Sequence, residues 1–231
     1  MKSEKGFSLI EILVALTLSV IMFSLVKSVG TTAHDDIEKA LDTVERAVRF
    51  SRDEAALRNT LVRVQFDLDK QPVDYLIQYG PGEGFLLPSS EELERIEGLR
   101  SDIREKIQKR QKDEQGLFAS ISEFTDGERT FPDNVKFLGI GLPSQKNLLT
   151  EGKQSIYTFA SGERDPALLI FATDDEIASL TILPFSLTFD RKYYPLDKIQ
   201  IAAPTASGDE IESKQQQMAK EIFEEWKSAS E

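Results

Sequence analysis

Glu11 is the one charge between Phe7 and Val26, in a run that also lacks Pro and Gly. At about 1.5 Å of rise per residue, roughly 20 residues cover a hydrocarbon core of about 30 Å, so this run predicts one membrane-spanning helix. An acid at the centre of such a helix costs roughly 2.5–3.5 kcal/mol, and somewhat less near its end. Glu11 therefore calls for a positive partner. No other residues form a constellation that does chemistry. The single histidine, His34, has no Ser/Asp partners and no second His/Cys at ligand spacing. Asp174, Asp175 and Glu176 are adjacent acids without the alternating spacing of a Ca²⁺ loop, and read as a solvated turn. Gly80-x-Gly82-x-Gly84 holds Pro81, lacks a Lys and is not followed by a helix start, so it is no phosphate cradle. The absence of Cys removes thiolate metal sites, cysteine nucleophiles and disulfides. The expectation is a protein with no catalytic residues, no metal site and no cofactor, hence not an enzyme.

The elements around Glu11 place it. Lys2 and Lys5 precede the apolar run, and by the positive-inside rule they put the N-terminus in the cytoplasm; Lys27 alone on the far side does not reverse that bias. A secretory signal peptide has a shorter core, of about 7–15 residues, and a small-residue cleavage site; here the run ends at Lys27-Ser28-Val29-Gly30. A plain anchor fits the length and leaves Glu11 unexplained.

Gly6-Phe7-Ser8-Leu9-Ile10-Glu11 resembles the class III leader of type IV pilins and type II secretion pseudopilins. The resemblance implies cleavage by a prepilin peptidase between Gly6 and Phe7, N-methylation of Phe7, and an assembly role for Glu11. It also supplies the missing cation: the N-terminal amine of a neighbouring subunit. Such a buried pair sets register between subunits, whether or not it adds stability.

Beyond Gly30, Ile37, Leu41, Val44 and Val48 recur at helical spacing, with Ala40, Ala47 and Ala55 widening the stripe. Asp35, Asp36, Glu38, Lys39, Asp42, Glu45, Arg46 and Arg49 form the opposite face. No proline interrupts Phe7 to Asn59, so one long helix is expected, capped near Asn59. Val62, Val64, Phe66 and Leu68 then alternate with Arg63, Gln65 and Asp67, a strand with one buried face. Asp69-Lys70-Gln71-Pro72 is a turn and Val73–Tyr79 the return strand. The block Arg49-Phe50-Ser51-Arg52-Asp53-Glu54-Ala55, Arg58-Asn59 and Val62–Asp67 is similar to the GspH/FimT group of minor pilins and pseudopilins, although Asp53 stands where that group often has Ser.

Ser89 and Glu92 form a capping box opening a helix over 89–115, whose Leu93, Ile96, Leu99, Ile103 and Ile107 make a narrow stripe; it reads as a packed insertion, with a partner-docking helix as the alternative. Strands are predicted at Val135–Ile140, Ile156–Phe159, Ala167–Phe171 and Ile177–Ile182, with further edges at Phe185–Phe189 and Lys198–Ile201. Short loops suit an antiparallel meander. The small, proline-containing 202–208 stretch is a linker. Asp209–Ser228 is helical, with Ile211, Met218, Ile222, Phe223 and Trp226 on one side, either packed on its own domain or offered to a partner.

The chain divides into a leader (1–6), a transmembrane helix (7–27), an amphipathic continuation (28–59), a periplasmic β-rich domain (60–201) carrying the 89–115 insertion, and a linker with an acidic amphipathic helix (202–231). The fold class is α+β and pilin-like: a long N-terminal helix, half membrane-embedded and half amphipathic, packed on an antiparallel β-sheet domain. A formal charge of −12 disfavours nucleic-acid binding. The resemblance implies an inner-membrane, single-pass minor pseudopilin of a type II secretion system, with prepilin peptidase and other pseudopilins as partners. The alternatives are a FimT-like minor pilin of a type IV pilus and an unrelated membrane-anchored periplasmic binding module.

Overall fold

The computed structural model describes residues 10, 12–19, 33–80, 116–121, 130–196 and 208–230. The first helix of the domain, α1, is Ala33–Arg58. Asp35 and Asp36 in its first turn and Arg58 in its last complement the helix dipole. Ile37, Ala40, Leu41, Val44, Ala47, Val48, Ser51 and Ala55 are buried along one stripe. The helix stops where Asn59 takes φ +49° and the Thr60 amide donates to Ala55 O at 3.1 Å. That six-to-one bond is a Schellman C-cap, and Asn is one of the few side chains that accept its left-handed turn.

Eight strands follow: β1 (Val62–Asp67), β2 (Asp74–Tyr79), β3 (Ala119–Ser120), β4 (Lys136–Gly141), β5 (Lys153–Thr158), β6 (Ala167–Ala172), β7 (Glu176–Ile182) and β8 (Asp190–Pro195). They build two four-stranded antiparallel sheets, ordered β3-β2-β1-β5 and β4-β6-β7-β8. The expected single meander is thus corrected. After β4 the chain crosses to the first sheet, where β5 pairs with β1, and returns to lay β6 against β4. A register shift between Phe137 and Gly139 bends β4. A Cβ at Gly139 would sit 2.7 Å from the Leu149 carbonyl, so only glycine admits the Ile140–Leu149 bridge there.

The α1 stripe closes a core shared by both sheets. Its aromatic centre includes Phe137 against Phe171 (4.7 Å) and against Phe66 (5.7 Å), with Phe131 against Phe171 at 5.2 Å. Every residue of β6 is buried. Ala167, Leu169 and Phe171 join the α1 core, while Leu168, Ile170 and Ala172 join a second cluster with Ala219, Ile222 and Phe223 of the C-terminal helix α2, Gly208–Ser230. The second sheet therefore lies between two helices, which is why β6 reads as an unbroken apolar run. Of the two readings left open for the C-terminal helix, the structure has packing on its own domain. Gln215 Nε2 donates to Thr173 O at 2.9 Å and Lys227 Nζ to Gln145 O at 2.9 Å, tying down successive parts of the helix.

Three expectations change. Arg63 and Gln65, assigned to a solvent face, are buried along with the apolar residues of β1. Asp36, assigned to the polar face of α1, is buried and accepts hydrogen bonds from Lys39 (2.6 Å) and Asn134 (2.7 Å). Phe185–Phe189 is not a strand, and the last edge of the second sheet is instead β8. The 89–115 helix and the Lys198–Ile201 strand lie outside the described residues.

Candidate assembly site

Gly6, Phe7 and Glu11 lie outside the described residues. Their nearest described neighbours, residues 10 and 12–19, are helical. Ile10, Ile12, Leu13, Val14, Leu16 and Leu18 all stand exposed. The two hydroxyls of this stretch turn inward: Thr17 Oγ1 donates to Leu13 O (3.0 Å) and Val14 O (2.9 Å), and Ser19 Oγ to Ala15 O (2.8 Å). Thr17 and Ser19 thus satisfy their polar hydrogens within the helix, and what remains outside is apolar. Such a surface suits a hydrocarbon or helix-bundle environment, where no water pairs an exposed hydroxyl. Among the described residues, no helix is long and apolar enough to cross a membrane.

The domain end of the N-terminal region is α1, and charged groups fasten it to the second sheet. His34 Nδ1 lies 2.8 Å from Glu176 Oε1 at the start of β7, and its ring packs 5.1 Å from Tyr193 of β8. The hydrogen bond to Glu176 raises the His34 pKa against a smaller opposing effect of burial. Hydrogen bonds from Lys39 and then Asn134 hold the Asp36 carboxyl below the usual carboxylate range. Arg191 of β8 reaches back to Asp42 (2.6 Å) and Glu45 (2.7 Å). Burial opposes its charge, but the bonds to Glu45 and Asp42 outweigh that and raise its pKa. At the far end of α1, Glu54 accepts hydrogen bonds from the Tyr79 hydroxyl and from Arg58 Nε, the latter at 2.8 Å. These two donors, Tyr79 first, depress its pKa. Arg58 also lies 4.7 Å from the Tyr79 ring centre. With its stripe in the core and both ends bonded to strands, α1 is fixed to the domain along its whole length.

Two arginines missed by sequence reading are buried in the domain. Arg63 donates to Gln78 Oε1 at 2.9 Å and lies 3.6 Å from the Phe118 ring centre; burial lowers its pKa. Arg164 donates through Nη2 to Ser186 O and lies 5.3 Å from the Phe189 ring centre. Nothing in the linear pattern marks either, because each is buried by residues distant in sequence.

The residues weighed for chemistry stay apart. Glu176, the acid that would have joined Asp174 and Asp175, is turned to His34. Among the described residues, no group of three or more His, Cys, Asp or Glu could hold a metal. Gly80 donates its amide to Leu61 O at 2.7 Å, ending the first hairpin; Gly82 and Gly84 lie outside the described residues.

A helix leading into antiparallel sheets, fastened to them by its buried stripe, is an α+β arrangement consistent with a pilin-like protein. Residues 1–26 match the family described as the prokaryotic N-terminal methylation motif. No curated protein and no solved structure matches the chain. The motif marks the chain as type IV pilin-like at its N-terminus, which points to anchoring in a membrane through that end, processing by prepilin peptidase and assembly with pilin-like partners. Pilin-like proteins with this motif are structural and not enzymes.

Proposed function

We propose that this protein is a minor pseudopilin of a type II secretion system, a structural subunit of the periplasmic pseudopilus that helps drive export across the outer membrane. It is cleaved between Gly6 and Phe7, N-methylated at Phe7, anchored in the inner membrane by 7–27, and exposes its folded domain to the periplasm. The observation that carries the reading is the methylation motif over residues 1–26 with Glu11 inside its apolar run. Cleavage at Gly6 creates an amine, and Glu11 of a neighbouring subunit is the buried carboxylate that lacks a cation. The pair fixes axial register between packed helices. The Arg49–Asp67 block, similar to the GspH/FimT group, supports the minor-pseudopilin assignment over a major subunit. The chain's formal charge of −12 supports a secretion role over DNA-binding minor pilins.

Mass spectrometry of the mature protein tests the processing: it should begin at N-methylated Phe7, and an intact Met1 in cells that hold prepilin peptidase refutes the reading. Glu11→Val should leave insertion and cleavage intact and remove the protein from pull-downs with other pseudopilins. Normal pull-down and normal secretion from that variant would refute the register role. Deleting the gene should reduce export of secreted enzymes and leave pili unaffected; loss of pili alone assigns the chain to a type IV pilus.

A further inference from the structure

His34 is the chain's single histidine, and the fold sets it in the first turn of α1, which starts at Ala33. Its imidazole meets acids from two elements. From β7, Glu176 Oε1 lies 2.8 Å from Nδ1. From α1 itself, Glu38 Oε1 lies 3.7 Å from Nε2, and Asp35 acts on the ring through its charge. From β8 it faces Tyr193, whose ring centre is 5.1 Å away and which is in turn hydrogen-bonded to Arg191. The Glu176 side chain is largely buried, and among the described residues neither it nor Glu38 pairs with any other cation. Lys39 is held by Asp36 at 2.6 Å, and Arg191 by Asp42 and Glu45. The helix dipole opposes a cation at this end of α1, so it is the acids that favour the charged ring.

The remainder of the helix is held without His34. Asn134 Nδ2 donates to Asp36 Oδ2 at 2.7 Å, and Ile37, Ala40 and Leu41 are buried. Only residues 33–35 depend on the ring. We propose that His34, Glu38 and Glu176 form a pH-operated latch, which clips the first turn of α1 to the second sheet while the imidazole is charged and frees it when the imidazole is neutral. With the ring charged, its bond to Glu176 is charge-assisted and roughly twice as strong as one between neutral groups. With the ring neutral that bond weakens, and Glu176 and Glu38 remain as like charges at the same corner. Histidine is the side chain whose ordinary charge change falls between about pH 5 and 8. The latch is therefore closed on the acid side and opens as pH rises through the folded value, which the Glu176 hydrogen bond holds above 6.5. Three freed residues pass from about 1.5 Å to about 3.3 Å of rise each, adding about 5 Å of reach between the N-terminal segment and the domain. Such a device sets how freely the folded domain moves on that segment, apart from the processing and register roles of Gly6, Phe7 and Glu11.

Amide exchange of the full chain in detergent micelles tests the latch. In the helix pattern the amides of Ile37, Glu38 and Lys39 bond to the carbonyls of residues 33–35, so freeing that turn exposes them. Each rate is divided by that of the unfolded sequence, and Val44 and Val48 of the same helix serve as the reference for global opening. Between pH 5.5 and 8.5 the relative protection of the three amides should fall about threefold to fivefold, the range open to a half-exposed pair. An NMR titration of the His34 ring should give a midpoint above 6.5 that coincides with this fall. His34→Gln keeps a donor for Glu176 without a titrating charge, and its relative protection should be flat across the same range. Glu176→Gln keeps an acceptor and loses the charge, so it should lower the ring's midpoint and shrink the fall. A ring that titrates while the parent's relative protection stays flat overturns the proposal. So does a His34→Gln protein that loses protection equally at every pH and retains the parent's fall, the mark of a purely structural ring. An unmoved midpoint in Glu176→Gln overturns it as well.

Discussion

Gly141→Ala puts a methyl group into the joint between α2 and the second sheet, and the sign of its effect is informative. A Cβ at position 141 would lie 2.5 Å from Phe223 Cδ2, 2.8 Å from Phe223 Cε2 and 3.4 Å from Leu168 Cβ. The two ring contacts fall well inside the roughly 3.5–4.0 Å of an ordinary carbon–carbon contact. The Phe223 ring is 1 % exposed, within the cluster of Leu168, Ile170 and Ile222, so it cannot swing aside and α2 must lift. Overpacking of this kind costs about 1–3 kcal/mol. Gly141 is not left-handed, so in a free strand alanine would instead stabilise it by roughly 0.5–1 kcal/mol through reduced chain entropy. Phe223→Ala should cost about 3–5 kcal/mol by leaving a cavity. In the double variant the cavity accepts the methyl group, so the combined cost should fall short of the sum by about 1–3 kcal/mol. Urea unfolding of the full chain in detergent micelles measures this. Trp226 is the protein's single tryptophan and its ring lies 6.1 Å from Phe223, so its fluorescence reports the joint directly. A Gly141→Ala protein as stable as the parent, or additive costs in the cycle, would refute the docking of α2 on β4.

Three further perturbations test how α1 is held. Asn59→Val places a β-branched residue at φ +49° and should lower stability by about 1–2 kcal/mol, whereas Asn59→Gly should be neutral or better, both read from urea midpoints. Arg191→Ala removes the bonds from β8 to Asp42 and Glu45; a loss of about 1.5–3 kcal/mol is expected, with amide exchange rising first in β8 and the facing turns of α1. His34 gives a pH signature. Its pKa is raised above the ordinary 6.5, chiefly by the Glu176 hydrogen bond. Its contribution is therefore complete below pH 6.5 and fades as pH rises through the higher folded value. Because the His34 side chain is half exposed, the change should stay within about 1 kcal/mol. His34→Gln should flatten the stability profile across that window, and an unchanged slope would remove His34 from the α1 attachment.

Helices α1 and α2 are legible in the chain because their signal is local. Ile37, Leu41, Val44 and Val48 repeat every three or four residues, and the structure buries them all. The β1–β2 hairpin was legible for the same reason, with turn residues between two alternating runs. The division into two sheets was not, because the pairing of β5 with β1 joins residues about ninety positions apart and no local pattern records it. β8 is Asp190-Arg191-Lys192-Tyr193-Tyr194-Pro195, a polar edge with a proline that carries no apolar strand signal, whereas the more apolar Phe185–Phe189 carries one and is not a strand. Edges are kept polar to discourage further pairing, so hydrophobicity is a poor guide to them.

The same contrast separates the N-terminal motif from the buried Arg164. The N-terminal motif is consecutive in sequence, so the proposed processing and assembly residues Gly6, Phe7 and Glu11 can be read without a fold. The surroundings of Arg164 are assembled from α1, the turn after β5 and the loop before β8, and only folding brings Arg49, Arg164 and Phe189 together. Both place a charge in apolar surroundings. Glu11 is a carboxylate in an apolar run, and Arg164 is a guanidinium buried against Phe189 with Ser186 O as its acceptor. Replacing Arg164 with an apolar side chain of similar volume, as in Arg164→Met, should therefore leave the urea midpoint unchanged or raise it, and a clear fall would show that its bond to Ser186 O and its contact with Phe189 outweigh the cost of burying the charge.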